Sequence, residues 1–98
     1  MTIRALALDG LKTVTERFDA EAPTDPDLVE AQELHRGLQT LLESTGTAAD
    51  LLGFLEGNHQ ALGRHGMLRA GLALAAAVFE EEGDPARAAK IRKHMAQT

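Results

Sequence analysis

The chain lacks cysteine, tryptophan and tyrosine, and it contains only three phenylalanines, three prolines and one serine, Ser44. Without cysteine it can form no disulfide, no thiolate metal site and no cysteine nucleophile. It also has no phosphate-binding glycine loop and no nucleophile-elbow serine. Because aromatic residues make up only 3% of the chain, the core has to be built from Leu and Ala. That composition favours closely packed helices over a sheet.

Long apolar runs are missing as well. The most apolar stretch, Gly71 to Phe79, is far too short to span a bilayer, and the first residues lack a signal-peptide pattern. At 98 residues the chain has room for one hydrophobic core. We therefore expect a single all-helical domain over residues 1–98 that is cytoplasmic, does not bind membranes and carries no cofactor.

The net charge of -5 is unevenly distributed and argues against nucleic-acid binding, which needs clustered Lys and Arg. Between Glu16 and Glu56 there are ten acidic residues and only two arginines. The last predicted helix is instead basic, with Arg87, Lys90, Arg92 and Lys93. These regions can be solvated or pair within the molecule. The alternative is head-to-tail self-association or an oppositely charged partner.

The apolar spacing predicts a first helix over residues 3–20. Its stripe consists of Ile3, Leu6, Ala7, Leu11, Val14 and Phe18. Residues 2–9 could alternatively form a strand that ends at the Asp9-Gly10 turn. That stretch resembles the opening of haloacid-dehalogenase-type phosphatases, which would make Asp9 a nucleophile. However, Leu11 stands where the family has a second aspartate, and the chain is too short for that fold.

Capping chemistry marks the later helices. Asp25 and Pro26 begin a second helix, which ends near Gly46, and Thr47 with Asp50 forms a capping-box start for a third. The third helix reaches Glu56 and then either continues to Arg64 or gives way to an irregular or short helical passage. A very apolar fourth helix follows over residues 67–82, and a fifth begins after Asp84. The expected fold is all-α, with four or five antiparallel helices around the fourth one.

The last two predicted helices carry a spaced pattern over residues 68–95. Phe79 occupies an aromatic position, Gly83-Asp84 a turn and Ala88 a small second-helix position. This segment resembles one tetratricopeptide-type helical hairpin. It departs from that family at Leu72, which stands in the tryptophan position, and at Arg92, which replaces a packing aromatic. The resemblance implies a scaffold that presents a concave surface to a protein or peptide partner.

The residues most open to a binding role lie in or just after the glycine-rich passage, residues 57–66. They are Asn58, His59, Arg64, His65 and Arg69. His59 and His65 are six positions apart, so they do not form a metal pair on one helix face. We expect no metal site and no catalytic residue. We also expect the Glu80–Glu82 run to be a solvated helix end whose charge is offset by Arg87 and Lys90.

These features predict a non-catalytic protein–protein interaction module that self-associates. Small acidic Ala- and Leu-rich helical proteins of bacterial character often serve as adaptors, chaperones or assembly factors, which is an association by composition. One alternative is a small enzyme or ligand-binding protein with a site around His59 and His65. Another is an acidic regulator that occupies a basic surface of its partner. An interaction module should leave an apolar patch exposed, whereas an enzyme should converge polar groups in a closed pocket.

Overall fold

The structure, a computed structural model, describes residues 2–44 and 47–97, and in those residues it contains helices and no strand. The all-α fold is therefore confirmed. Within the described ranges there are six helices: α1 (Ile3–Glu21), α2 (Pro26–Glu43), α3 (Ala48–Gly57), α4 (His59–Arg64), α5 (Leu68–Glu81) and α6 (Pro85–Ala96). The count exceeds the expected four or five because the glycine-rich passage forms a short helix of its own.

Local capping chemistry sets the helix starts as predicted. The Asp25 carboxylate accepts from the amide of Asp27 at 2.9 Å, and Pro26 fills the first position of α2. Thr47 and Asp50 form the capping box of α3. The strand alternative for residues 2–9 is wrong, because Thr2 Oγ1 accepts from the Ala5 amide at 3.1 Å and begins a helix there. The predicted helix end at Gly46 lies outside the described residues.

Helix α5 is the centre of the fold and packs against α1, α3, α4 and α6. Small residues make this possible. Ala75 and Ala76 are fully buried, and Gly71 lies so close to α3 that a Cβ atom there would come within 2.5 Å of Leu55 Cδ2. Because Leu55 itself is only 1% exposed, the two helices meet with no spare volume between them.

Helix α6 folds back on α5 through a tight helix end. Gly83 has a φ of 88°, and the amides of Gly83 and Asp84 donate to the carbonyls of Glu80 and Phe79. That pair of bonds closes α5 with a left-handed glycine. Asp84 then caps α6, and Ala88, in the small position of the predicted hairpin, is fully buried.

Helix α1 is seated less deeply than its apolar stripe predicts. Ile3 and Leu6 are 46% and 56% exposed, and Thr15 is the buried residue of this helix. The helix contacts only α2 and α5. Its inward face therefore runs through Ala7, Leu11 and Phe18, while the side chains of Ile3 and Leu6 are largely exposed to solvent. Leu28, an apolar residue in the first turn of α2, is likewise 48% exposed.

The Glu80–Glu82 run has different partners from the expected Arg87 and Lys90. Glu80 pairs with Arg92. Glu81 accepts from the amide of Ile3 at 2.5 Å, and Glu82 accepts from the amide of Ala48 at 2.8 Å. The first turns of α1 and α3 carry amides without intrahelical partners and a partial positive charge. The carboxylates at the end of α5 satisfy two of those amides, so the run has a structural role in joining three helices.

Candidate binding site

The glycine-rich passage is divided at Asn58. This residue ends α3 and begins α4 with a φ of -118° and a ψ of 23°. Its side-chain amide donates to the carbonyl of Phe54 at 2.9 Å, an acceptor near the end of α3. Asn58 thus stabilises the break between the two helices. This is a structural role, and it needs no ligand.

Arg64 and His65 are held by a residue of another helix. The Glu30 carboxylate on α2 accepts from Arg64 Nη2 at 2.9 Å and lies 2.8 Å from His65 Nε2. The hydrogen bond from Arg64, and then that from His65, lowers the pKa of Glu30 below its ordinary value. The His65 side chain is only 16% exposed. This cluster fastens the end of α4 to α2, so both candidate residues have structural partners.

His59 is exposed at the start of α4 and lines a broad polar depression of about 500 Å³ that is open to solvent. The remaining lining residues are Glu56, Gly57, Asn58, Gln60, Ala61 and Arg64. His65 faces Glu30 and does not share this depression. The two histidines therefore do not converge on one ligand position. Among residues 2–44 and 47–97, no group of three or more His, Asp or Glu side chains could hold a metal ion.

Arg69 lies apart from the other candidates on the first turn of α5. It borders a groove of about 280 Å³ that is mainly apolar. We call this feature the basic groove, and it is lined by Gly63, Gly66, Leu68, Arg69, Leu72 and Met95. Three helices contribute to it: α4 supplies one wall, α5 the floor and α6 the other wall. No candidate residue other than Arg69 belongs to it.

Two glycines line the basic groove, Gly63 in α4 and Gly66 just after it. A Cβ atom added at Gly63 or at Gly66 would meet no heavy atom within 4 Å. Gly66 has a φ of 68°, and the amides of Gly66 and Met67 donate to carbonyls of Gly63 and Leu62. This left-handed helix end turns the chain from α4 into α5. Because these glycines carry no side chain, they contribute only backbone to the lining of the groove.

A second apolar groove lies on the opposite flank of α5, and residues of α1, α2 and α5 line it. Its volume is about 210 Å³, and it is lined by Ala7, Leu11, His35, Leu38, Gly66, Met67, Ala70, Gly71 and Leu74. His35 also borders a pocket of about 250 Å³ beneath Phe18, whose ring centroid lies 5.4 Å from the imidazole. No role was predicted for His35, because its ring partner Phe18 belongs to another helix and its own Nδ1 bonds to the Ala31 carbonyl one turn away.

The two flanks of α5 differ in the sign of their charge. No acidic residue occurs between Asn58 and Phe79 or after Asp84, and these segments supply all of the basic groove. The described surface of α1 and α2 instead carries the exposed acids Glu16, Glu21 and Glu33, which form no ion pair with any described residue. The molecule therefore has a basic flank and an acidic flank.

None of the described helices is both long and apolar enough to cross a membrane. In comparisons with known proteins, no family model matches this chain, and no curated protein or solved structure matches it either.

Proposed function

We propose that this protein is a non-catalytic protein–protein interaction module and that the basic groove binds an acidic amphipathic helix of a partner. The observation that carries the proposal is an apolar floor bordered by a cation, in a part of the chain without acids. Leu68 and Leu72 form that floor, and Arg69 stands at its border. Grooves of this kind bind the apolar face of a helix, whose anchors recur every three to four residues.

The charges around the groove favour a partner of negative sign. Arg64 is engaged by Glu30, and Arg92 by Glu80, whereas Arg69 forms no ion pair with any described residue. Lys90 and Lys93 on α6 also form no such pair, but they do not line the groove. Arg69, left uncompensated in this way, favours an acidic segment in the groove and disfavours a basic one.

The alternative of an enzyme or small-ligand site around His59 and His65 has less support. His59 lines an open depression, and His65 is engaged by Glu30, so these side chains give no convergent set of polar groups. An adaptor, chaperone or assembly factor needs only a surface that discriminates among partner helices. The basic groove meets that requirement through its shape and its sign of charge.

A designed peptide tests the proposal directly. The probe is an amphipathic helix of about five turns with Leu at the anchor positions and Glu elsewhere, and its counterpart carries Lys in place of Glu. We expect the Glu peptide to bind in fluorescence anisotropy and its affinity to weaken with salt. We expect the Lys peptide not to bind. Equal binding of both peptides, or of neither, would contradict the proposal.

Matched variants locate the site. Gly63→Leu fills the space above the apolar floor and should weaken binding of the Glu peptide at least roughly tenfold. Gly53→Leu makes the same change at a helical glycine of α3 that also faces open space, and it should leave the affinity unchanged. Arg69→Glu should likewise weaken binding, whereas Lys12→Glu on the exposed face of α1 should not. If Gly63→Leu and Gly53→Leu bind alike, the groove is not the site.

A further inference from the structure

The connection between α1 and α2, residues 22–25, contains a backbone conformation that is unfavourable for two reasons. Ala22 has a φ of 45° and a ψ of 60°, in the left-handed region that residues other than glycine rarely adopt. It also precedes Pro23, and a residue before proline prefers extended backbone. Asp25, which precedes Pro26, does adopt that extended form, with a φ of -68° and a ψ of 127°. An extended Ala22 would be free of both penalties.

Helix α1, which precedes this connection, buries few of its side chains completely. Thr15 is its buried residue, at 8% exposure, and the Thr15 hydroxyl finds no hydrogen-bond partner among the described residues. Most of the apolar contact is made by half-buried side chains such as Leu11, Val14 and Phe18. A helix held in this way leaves its site at a lower free-energy cost than one with several fully buried leucines.

The specific contacts of α1 are polar and lie at its two ends. Arg4 donates to the carbonyls of Leu41, Leu42 and Ser44 at the end of α2. Asp19 accepts from Gln32 Nε2 at 2.8 Å and from Arg36 Nη2 at 2.6 Å. None of these contacts depends on α1 and α2 belonging to the same chain. An α1 from another copy could make all of them.

We propose that the protein forms a domain-swapped dimer in which two chains exchange α1. In the extended form, the four residues of the connection span about 13 Å, enough to separate α1 from its own α2. When α1 leaves, it uncovers the side chains of Leu38 and Leu74. The α1 of the second copy then covers them through the same contacts. A symmetric exchange closes on itself and stops at two chains. Exchange stabilises the dimer because two Ala22 residues leave their unfavourable left-handed conformation. The exchanged helices lie on the flank of α5 opposite the basic groove, so the dimer does not depend on the function proposed above.

Ala22→Gly tests the role of the connection. Glycine adopts the left-handed conformation without penalty, so the substitution stabilises the unexchanged monomer. We expect the dimer dissociation constant in analytical ultracentrifugation to rise roughly 25-fold, about fivefold for each of two connections. The control is Ala20→Gly, which weakens α1 equally in monomer and dimer and should leave the constant unchanged. A wild-type chain that remains monomeric across the concentration series, or an Ala22→Gly dimer of wild-type strength, would overturn the proposal.

A charge reversal on separate chains distinguishes exchange from contact between closed monomers. Asp19→Arg places two cations opposite each other within a chain, and Arg36→Asp places two anions there. When the two variants are mixed, an exchanged heterodimer restores an opposite-charge pair at both α1–α2 contacts. We expect native mass spectrometry to find more heterodimer than random pairing gives. A statistical mixture of dimers would show that α1 is not exchanged.

Discussion

Helix α5 is packed in two different ways on its two flanks. Toward α3 and α6, fully buried alanines and Gly71 bring the backbones together, and Leu51 and Leu55 fill the remaining space. Toward α1, half-buried side chains border an open groove. Both flanks have apolar residues at helical spacing, so periodicity alone does not distinguish them. Small residues occur on the α1 flank as well, since Ala7 of α1 and Ala70 of α5 both line the groove. The leucines beside them, Leu11 and Leu74, are only half-buried, so this flank is packed less closely.

The largest expected contrast comes from removing one leucine on each flank. Leu55→Ala leaves a cavity beside Gly71 and should lower the free energy of unfolding by about 2–5 kcal/mol. Leu11→Ala acts on a half-buried side chain that already borders a groove, and it should cost about 1 kcal/mol. Urea denaturation of both variants measures the difference. Equal losses would show that α1 is packed as firmly as α3.

A smaller contrast is expected from adding one methyl group. Gly71→Ala puts a Cβ atom 2.5 Å from Leu55 Cδ2, and the buried Leu55 has no free volume to move into. We expect a loss of about 1–3 kcal/mol from overpacking. Gly53→Ala adds the same group in open space within α3 and should gain about 0.5–1 kcal/mol. A stable Gly71→Ala variant would mean that α3 and α5 can separate without loss.

The sequence predicted the features that depend on neighbouring residues. The helix starts at Asp25, Thr47 and Asp84 were predictable because a cap is formed by side chains within one turn of the amides it satisfies. The burial of the central apolar helix followed from its lack of a polar face. The tetratricopeptide resemblance of residues 68–95 stays a prediction, although Phe79 and Ala88 are buried in the hairpin.

The features that were missed join residues far apart in the chain. Glu81 and the amide it satisfies are 78 positions apart, and Glu82 and its amide are 34 apart. Glu30 is 34 and 35 positions from Arg64 and His65. The Glu80–Glu82 run was predicted to be a solvated helix end because the starts of the other helices beside it were not predictable. In the same way, two candidate site residues acquired structural partners, and Arg69 alone borders the basic groove.

The smallest effect concerns pH and the attachment of α4 to α2. The pKa of Glu30 is lowered in the folded protein by its hydrogen bonds to Arg64 and then to His65. A carboxyl group whose folded-state pKa is lowered contributes stability above its unfolded-state pKa and loses it as the pH falls through the folded-state value. Glu30→Gln removes that contribution, so its melting temperature should fall less than that of the wild type on acidification from about pH 5 to pH 3. The matched control is Glu33→Gln on the same helix, an exposed carboxylate that forms no ion pair with any described residue and should keep the wild-type slope. If both variants flatten the slope equally, the effect reflects net charge, and the attachment of α4 through Glu30 does not contribute to stability.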